Sequence, residues 1–407
     1  MGQIKTGGEQ FETHIQADHR GQIVKQGPDS GAVDAFGRAR TSEPFTLFDS
    51  TLRHSENTNK WNATVAGSGA YSHSANESSV LMTVTASGDS VLRRTRQRFP
   101  YQPGKSLMVL QSFAGNTLQE SLVQEVGLFD NNNGIMLRAS GTTIQFVIRS
   151  STTGSPVETV VDQSAWNIDT ALWLDFAKTN IFLADLEWLG VGRVRMGFVK
   201  DGEHYYCHEF NHANLLDKVY MTTAVLPLSY RIAATDYAPA TMRQICSSVM
   251  SEGGYEPAGA IYIAGRGAAT FSAISSETMV AAIRMASGRT DNVILPAQVD
   301  VSVGGKQNDN TVAQWRLRLN PTISGVWDAA DNGRGNVQTM SSGTFSGGTV
   351  VGGGLVAARS DVEFSPESGL ALSLGVNASG ESDVLALTIQ CSSSQEATGL
   401  IGWREVL

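Results

Sequence analysis

The chain has 407 residues, 41% hydrophobic and only 17% charged, with a net charge of −9 at neutral pH. That charged fraction lies below the ~25% usual in soluble domains, and the acidic balance excludes a general nucleic-acid binder, whose affinity rests on neutralising phosphates. The three cysteines, Cys207, Cys246 and Cys391, are widely spaced and exclude a disulfide framework.

Residues 1–45 are polar and glycine-rich, with isolated apolar positions and no sustained period, so this stretch cannot bury enough surface to fold alone. The first twenty-two residues have no apolar core, and no secretion leader is expected. Phe36, Phe45, Leu47 and Phe48 crowd its end. They predict an extended N-terminal arm that orders against a neighbouring subunit, with Arg38 beside them.

Residues 46–255 predict one β-sandwich domain. Ser79–Thr85, Val91–Phe99, Leu107–Phe113, Val126–Phe129, Ile135–Leu137 and Ile144–Ile148 read as strands at roughly ten-residue spacing, the pattern of a sandwich or jelly roll. Asp130-Asn131-Asn132-Asn133-Gly134 reads as a turn. Its glycine falls one place early for an EF-hand loop, and no Glu stands at the twelfth position. Arg94, Arg96 and Arg98 would share one strand face. They read as a solvated edge or as a contact with an acidic neighbour or an anionic glycan.

Asp185 to His212 concentrates the groups that chemistry would use. Leu189, Val191, Val194, Met196 and Phe198 alternate as in a strand, and Asp201-Gly202 predicts a type I′ hairpin turn, whose central positions need φ > 0. Tyr205, Tyr206 and Phe210 return. His204, His208 and His212 are spaced by four, which on a strand spans about 13 Å, too far for one metal ion with ~2 Å bonds. No metal and no cofactor is therefore expected. Asp185 and Glu187, two apart, would share a face. With Trp188, Tyr205 and Tyr206 they form a candidate glycan-binding set.

A turn-rich break at Ser251–Pro257 precedes a second predicted sandwich, residues 256–407. Strand candidates are Ile261–Ile263, Val280–Met285, Val299–Val303, Trp315–Leu319, Ala371–Val376, Val384–Ile389 and Ile401–Leu407. Ser276–Met285 would also suit a short helix, and the glycine-rich run 341–354 resists regular structure. There is no P-loop, no dinucleotide-binding fingerprint and no GxSxG elbow with its partners. All seven histidines precede residue 213. No run approaches the ~18 apolar residues of a membrane helix, so no membrane insertion is expected.

Three resemblances bear on these residues. Leu183-Ala184-Asp185-Leu186-Glu187-Trp188-Leu189-Gly190 is similar to the ExDxE strand of jelly-roll endoglucanases and carrageenases, but either alignment puts a leucine, Leu183 or Leu189, where that class needs a carboxylate. The strand–FD-turn–strand pattern of the first domain is similar to concanavalin-like lectins. The widest match begins at Val33-Asp34-Ala35-Phe36-Gly37-Arg38-Ala39-Arg40 with Pro44–Ser50. It continues through Arg98–Ser106, Gly127–Asp130 with Asn133–Ile135, Phe146–Ser150, Glu187–Arg195 and Ser251–Gly254. This set resembles a signature of tailed-bacteriophage virion structural proteins. The resemblance implies a non-enzymatic subunit of a tail, baseplate, fibre or head decoration, assembled in the host cytoplasm. Its partners would be other virion proteins and copies of itself in a symmetric oligomer, a trimer being favoured. A host-surface glycan is the alternative partner, and a degenerate glycosidase-like domain comes third.

Overall fold

The computed structural model describes residues 43–256 throughout and the chain beyond except 257–258, 260, 267–271, 305–309, 330–334, 365–372, 378 and 407; before residue 43 it describes two short strands. These are β1 (Ile15–Ala17) and β2 (Ile23–Lys25), an antiparallel hairpin within the unit Met1–Pro44. Phe36 and Arg38 lie outside the described residues. Phe45–Leu407 form a second compact unit. It is all β among the described residues, apart from a single 3-10 turn at Gln163–Ala165.

The second unit holds two lobes. The first runs through β3 (Phe45–Ser50), β4 (Trp61–Ala66), β5 (Ala70–Ser74), β6 (Ser79–Val84), β7 (Ser90–Thr95), β8 (Leu107–Ala114), β9 (Leu122–Phe129), β10 (Gly134–Ser140) and β11 (Thr143–Ser150). It continues with β12 (Val157–Asp162), β13 (Thr179–Leu186), β14 (Val194–Lys200), β15 (Glu203–Phe210), β16 (Leu228–Ala234) and β17 (Ala240–Ser251). One antiparallel sheet has the order β12-β11-β10-β9-β16-β7-β4, the other β15-β14-β13-β8-β17-β6-β5, with β3 also paired to β17. Runs of consecutive strands, β9–β12 and β13–β15, are joined by pairings far apart in sequence, such as β9 with β16 and β8 with β13 and β17, as in jelly-roll-like sandwiches. Period-two patterning makes this possible: β8, LMVLQSFA, buries every second residue more deeply than its neighbours. Its Leu107, Val109 and Phe113 join Phe182, Leu186, Met196, Phe198 and Tyr230 in the core between the sheets.

The second lobe repeats the scheme. Ile261–Gly265, Gln395–Val406, Val293–Val303 and Ser360–Phe364 lie side by side in a sheet that Ser272–Ile274 also joins. Facing it are Asp328–Ala329, Val337–Met340, Thr278–Met285, Val384–Cys391, Val312–Leu319 and Thr349–Ala357, in that order. Trp315 and Trp403 anchor the core between them. Val293 and Leu295 belong to the first lobe's core, so the two hydrophobic interiors meet at the start of this strand.

Several sequence expectations change. Leu47 and Phe48, assigned to an arm that docks on a neighbour, sit in β3 and are 5% and 4% exposed within this chain. Phe48 packs on Phe99 and Trp61 at 5.2 and 6.0 Å between ring centres. Pairing with β17 turns their apolar side chains inward, so they are not available to another subunit. Phe45 stays half exposed, stacked on Tyr255 at 5.6 Å. Leu189 and Val191 do not extend β14. Leu189 takes φ 34° in a tight turn closed by the Glu187 N–H bonding to the Arg193 carbonyl at 3.0 Å. Thr278–Met285 is a strand, as expected for Val280–Met285, and not the short helix its pattern would also suit. Within the glycine-rich run, Thr349–Ala357 is a strand.

Candidate functional site

The registers place the candidate residues in three locations. On β13, Phe182, Ala184 and Leu186 face the core, so Leu183 and Asp185 point to the outer face of the eight-stranded sheet. Asp185 stands opposite Arg195 of β14 on one side and Met108 of β8 on the other. Tyr206 of β15 is opposite Gly197, which presents no side chain to cover it. Asp185 and Tyr206 therefore converge, and Arg195 completes the group.

The Asp185 carboxylate is 4% exposed as a residue and receives the Arg195 Nε–H at 2.9 Å. A second Arg195 nitrogen and the Tyr206 hydroxyl both donate to its other oxygen. The guanidinium lies over the Tyr206 ring, 4.2 Å from its centre. A planar fork held by both oxygens and stacked on a ring is the geometry that arginine provides and lysine does not. The hydrogen bond that Arg195 donates to Asp185 raises the Arg195 pKa. Burial, reinforced by the Asp185 carboxylate, raises that of Tyr206. Glu252, whose carboxylate accepts from the Ser106 hydroxyl, also acts electrostatically on both.

The other candidates go elsewhere. Glu187 lies past the end of β13, exposed, with Arg193 at 3.6 Å, so it does not share a face with Asp185 as its spacing implied. Trp188 is half-buried in the turn, its Nε1–H on the Met221 carbonyl at 3.2 Å and its ring edge-on to Tyr101 at 5.8 Å. Tyr205 faces the opposite way from Tyr206, at the edge strand, where it meets Trp173 at 6.2 Å. Trp173, which sequence reasoning did not single out, is 38% exposed, with the Lys200 ammonium 4.8 Å from its ring centre. Arg195 closes the EWLGVGRVR segment without being singled out as a site residue, and Trp173 stands in no motif. Strand pairing brings Arg195 to Asp185, and the turn before β13 brings Trp173 to Tyr205.

The three histidines separate as strand spacing requires. His208 is buried and its Nδ1 accepts the Asn167 N–H at 3.1 Å, while His212 bonds the Gly192 carbonyl at 2.7 Å and stacks on Tyr220 at 4.1 Å. Burial lowers the pKa of both. His204 is exposed. Arg94, Arg96 and Arg98 are not a solvated row. Arg94 is 7% exposed, Arg96 pairs with Asp383, and Arg98 lies 2.8 Å from Asp130. The acidic partners of Arg96 and Arg98 come from the same chain.

Chemically, Asp185 has its oxygens occupied by three donors, with apolar Leu183 one step along the face. A carboxylate so engaged fixes the orientation of Arg195 and Tyr206 on this face. The outer face around it carries half-buried Met108, Leu110 and Met250, a mixed apolar and polar floor.

No family model matches the chain, and no curated protein matches it. Solved structures similar to it include a glycosyl hydrolase family protein from Mycobacterium fortuitum, 11% identical over 52% of this chain and 100% of that one, TM-score 0.37. Others are the CBM2 module of the evolved Dit of Lactobacillus casei BL23 phage J-1, 9% identical over 53% and 100%, TM-score 0.36, and a galectin-like protein from Bacillus subtilis, 10% identical over 51% and 97%, TM-score 0.34. Likenesses with scores this low decide nothing about what the chain does.

Proposed function

We propose that the chain is a non-catalytic structural component of a tailed-bacteriophage particle, assembling with other virion proteins and with copies of itself. The observation that carries this reading is how the segments resembling the virion family fit together. Phe99 packs on Phe48 of the PFTLFDS segment at 5.2 Å. Arg98 pairs with Asp130 of the GLFD segment at 2.8 Å. The Tyr101 hydroxyl accepts the Leu189 N–H of the EWLGVGRVR segment at 3.1 Å. The Ser106 hydroxyl donates to Glu252 of the SEGG segment. The signature residues hold one another and thereby build a frame, which suits a building block better than a reaction centre. Immunogold labelling of purified particles with an antibody to this chain is expected to decorate one defined structure on each particle. Undecorated particles beside abundant free protein would refute the reading.

A second reading is favoured by the outer face of the eight-stranded sheet. Asp185, Arg195 and Tyr206 set a hydrogen-bonding wall above a half-apolar floor, and exposed Trp173 with Tyr205 offers rings at the sheet edge, a combination that suits sugar faces and hydroxyls. On this reading the particle component also holds a glycan. A glycan array with the wild type and Asp185→Asn distinguishes it from pure scaffolding.

A further inference from the structure

The outer face of the other sheet carries a charge arrangement that neither reading uses. Cross-strand registers put Arg231, Glu125 and Arg138 in one row, and Arg94 beside Ser229 in the next. Arg149 and Glu158 stand opposite each other in the neighbouring pair. The acids are fully engaged. Glu125, 1% exposed, takes Arg138 at 2.8 Å and Arg231 at 2.9 Å, with Arg149 at 3.8 Å. Glu158 takes Arg138 at 2.7 Å and Arg149 at 2.9 Å.

Arg94 is left over. Its Nε–H donates to the Ser229 hydroxyl at 3.1 Å and one terminal nitrogen reaches Asn131 Oδ1 at 3.4 Å, but among the described residues no carboxylate lies within 4.0 Å of it. Yet it is 7% exposed, and burial pushes its pKa down to about 10. Asp130 and Glu125 act on it only without contact, and a guanidinium withdrawn from water with no carboxylate touching it is costly, since buried charges are ordinarily paired. Arg94 lines an open cavity of about 400 Å³ together with Arg149, Arg231, Glu125 and Asn131. Three guanidinium groups thus border a space whose one carboxylate is already shared among other arginines.

We propose that this cavity is an oxyanion-binding site, taking the carboxylate or phosphate group of a small ligand, with Arg94 as its buried donor and Arg231 as its outer one. Guanidinium forks match both groups in geometry and charge. The site lies on the seven-stranded sheet, so it stands whether or not the opposite sheet holds a glycan.

The test is calorimetry and thermal melting of the full chain with inorganic phosphate, glucuronate and uncharged glucose, at ionic strength fixed with chloride. Saturable binding of phosphate, glucuronate or both, with none of glucose, is expected. Arg94→Leu is expected to weaken that binding by at least about tenfold, as loss of a charge-assisted donor does. The same variant should melt higher than the wild type in chloride alone, because the unpaired charge is gone. Which anion binds identifies the group. If neither anion binds saturably to the wild type, or if binding is unchanged in the variant, the proposal is overturned. Should Arg94→Leu fail to fold, Arg231→Gln, at a side chain 37% exposed, takes its place: unchanged binding there overturns the proposal as well.

Discussion

Arg96, just past the end of β7, and Asp383, 287 positions later, form a buried ion pair that ties the first lobe to the second. The Arg96 side chain is 15% exposed and that of Asp383 is 4% exposed. The Arg96 Nε–H donates to Asp383 Oδ1 at 2.8 Å, and the same carboxylate receives the Asn320 amide at 2.8 Å and the Gly375 N–H at 2.9 Å. Backbone bonding runs alongside, from the Val376 N–H to the Arg96 carbonyl at 2.7 Å.

Removing one member of such a group strands the other. Asp383→Ala leaves a guanidinium, an amide and a backbone N–H without their shared acceptor in a largely buried place, which costs up to about 3–5 kcal/mol, the range for a buried pair. Denaturant unfolding should show that loss, with the transition splitting into two as the lobes uncouple. A single transition shifted by less than about 1 kcal/mol would mean that Asp383 is not holding the lobes.

The end of the predicted arm gives a second expectation. Because Phe48 lies in the core against Phe99 and Trp61, Phe48→Ala should destabilise the isolated chain by about 3–5 kcal/mol, as large core deletions do. Deleting residues 1–40 removes no strand of the second unit and should leave its melting temperature unchanged. If Phe48→Ala is silent, β3 does not belong to this core; if the deletion unfolds the protein, residues 1–40 carry part of its stability.

Much of this was legible in the sequence where local chemistry decides. Asp201 and Gly202 take φ 53° and 80° and close β14 onto β15, as the Asp-Gly pair predicts. Asp130 Oδ1 accepts the N–H groups of Asn132 and Asn133, both at 2.8 Å, which makes DNNNG a turn. Where neighbours decide, the sequence was silent or misleading. In Thr278–Met285, Met279 to Ile283 are all 0% exposed; burial on both faces erases the period-two signal and lets a helix seem equally good. Gly353 and Gly354 look like breakers, but a Cβ there would come within 2.7 Å of the Trp315 carbonyl oxygen and 2.9 Å of its indole nitrogen. The glycines admit the tryptophan rather than interrupt the strand. Asp185 was legible as a carboxylate on a strand, whereas its engagement by Arg195 depends on a cross-strand partner that spacing along one strand cannot reveal.

Two glycines of the β14–β15 hairpin separate backbone freedom from space. Gly202 has φ 80° with nothing within 4 Å of an added Cβ, so Gly202→Ala should cost only about 1 kcal/mol, the left-handed penalty. At Gly197 a Cβ would meet the Tyr205 carbonyl oxygen at 1.9 Å. Gly197→Ala must push two backbones apart and should cost about 1–3 kcal/mol, with Tyr206 displaced from Asp185. Equal effects on the midpoint of unfolding would contradict this distinction.

Acid should loosen the outer face of the seven-stranded sheet. The hydrogen bond from Arg138 holds the Glu158 pKa down to about 2, against the opposing effect of burial. At Asp130 burial pushes the pKa up, but Arg98 and the Asn133 and Asn132 N–H groups more than offset it, so its pKa is also lowered. A carboxylate with a lower pKa folded than unfolded stabilises the fold above its unfolded pKa, near 4, and that stabilisation fades as pH falls toward the folded value. Stability should therefore decline between about pH 4.5 and 2. In Glu158→Gln the decline should be shallower, by about 1 kcal/mol after allowing for partial exposure. An unchanged slope would remove Glu158 from the account.

The glycan reading makes its sharpest prediction at Trp173. The ring is 38% exposed, edge-on to Phe198 at 5.8 Å and beneath Lys200. Trp173→Ala forfeits a surface cation–π contact worth about 0.5–1 kcal/mol and some packing, so the protein should stay folded. If sugars stack there, binding on an array should fall by about tenfold or more, the weight aromatic anchors carry in binding sites. Asp185→Asn acts differently: it breaks the bidentate pair and frees Arg195 from its stack on Tyr206, so binding and stability should both fall. Loss of binding in Asp185→Asn but not in Trp173→Ala would confine the glycan to the sheet face. Loss in Trp173→Ala alone would move it to the edge, and binding retained in both would place the glycan away from both positions.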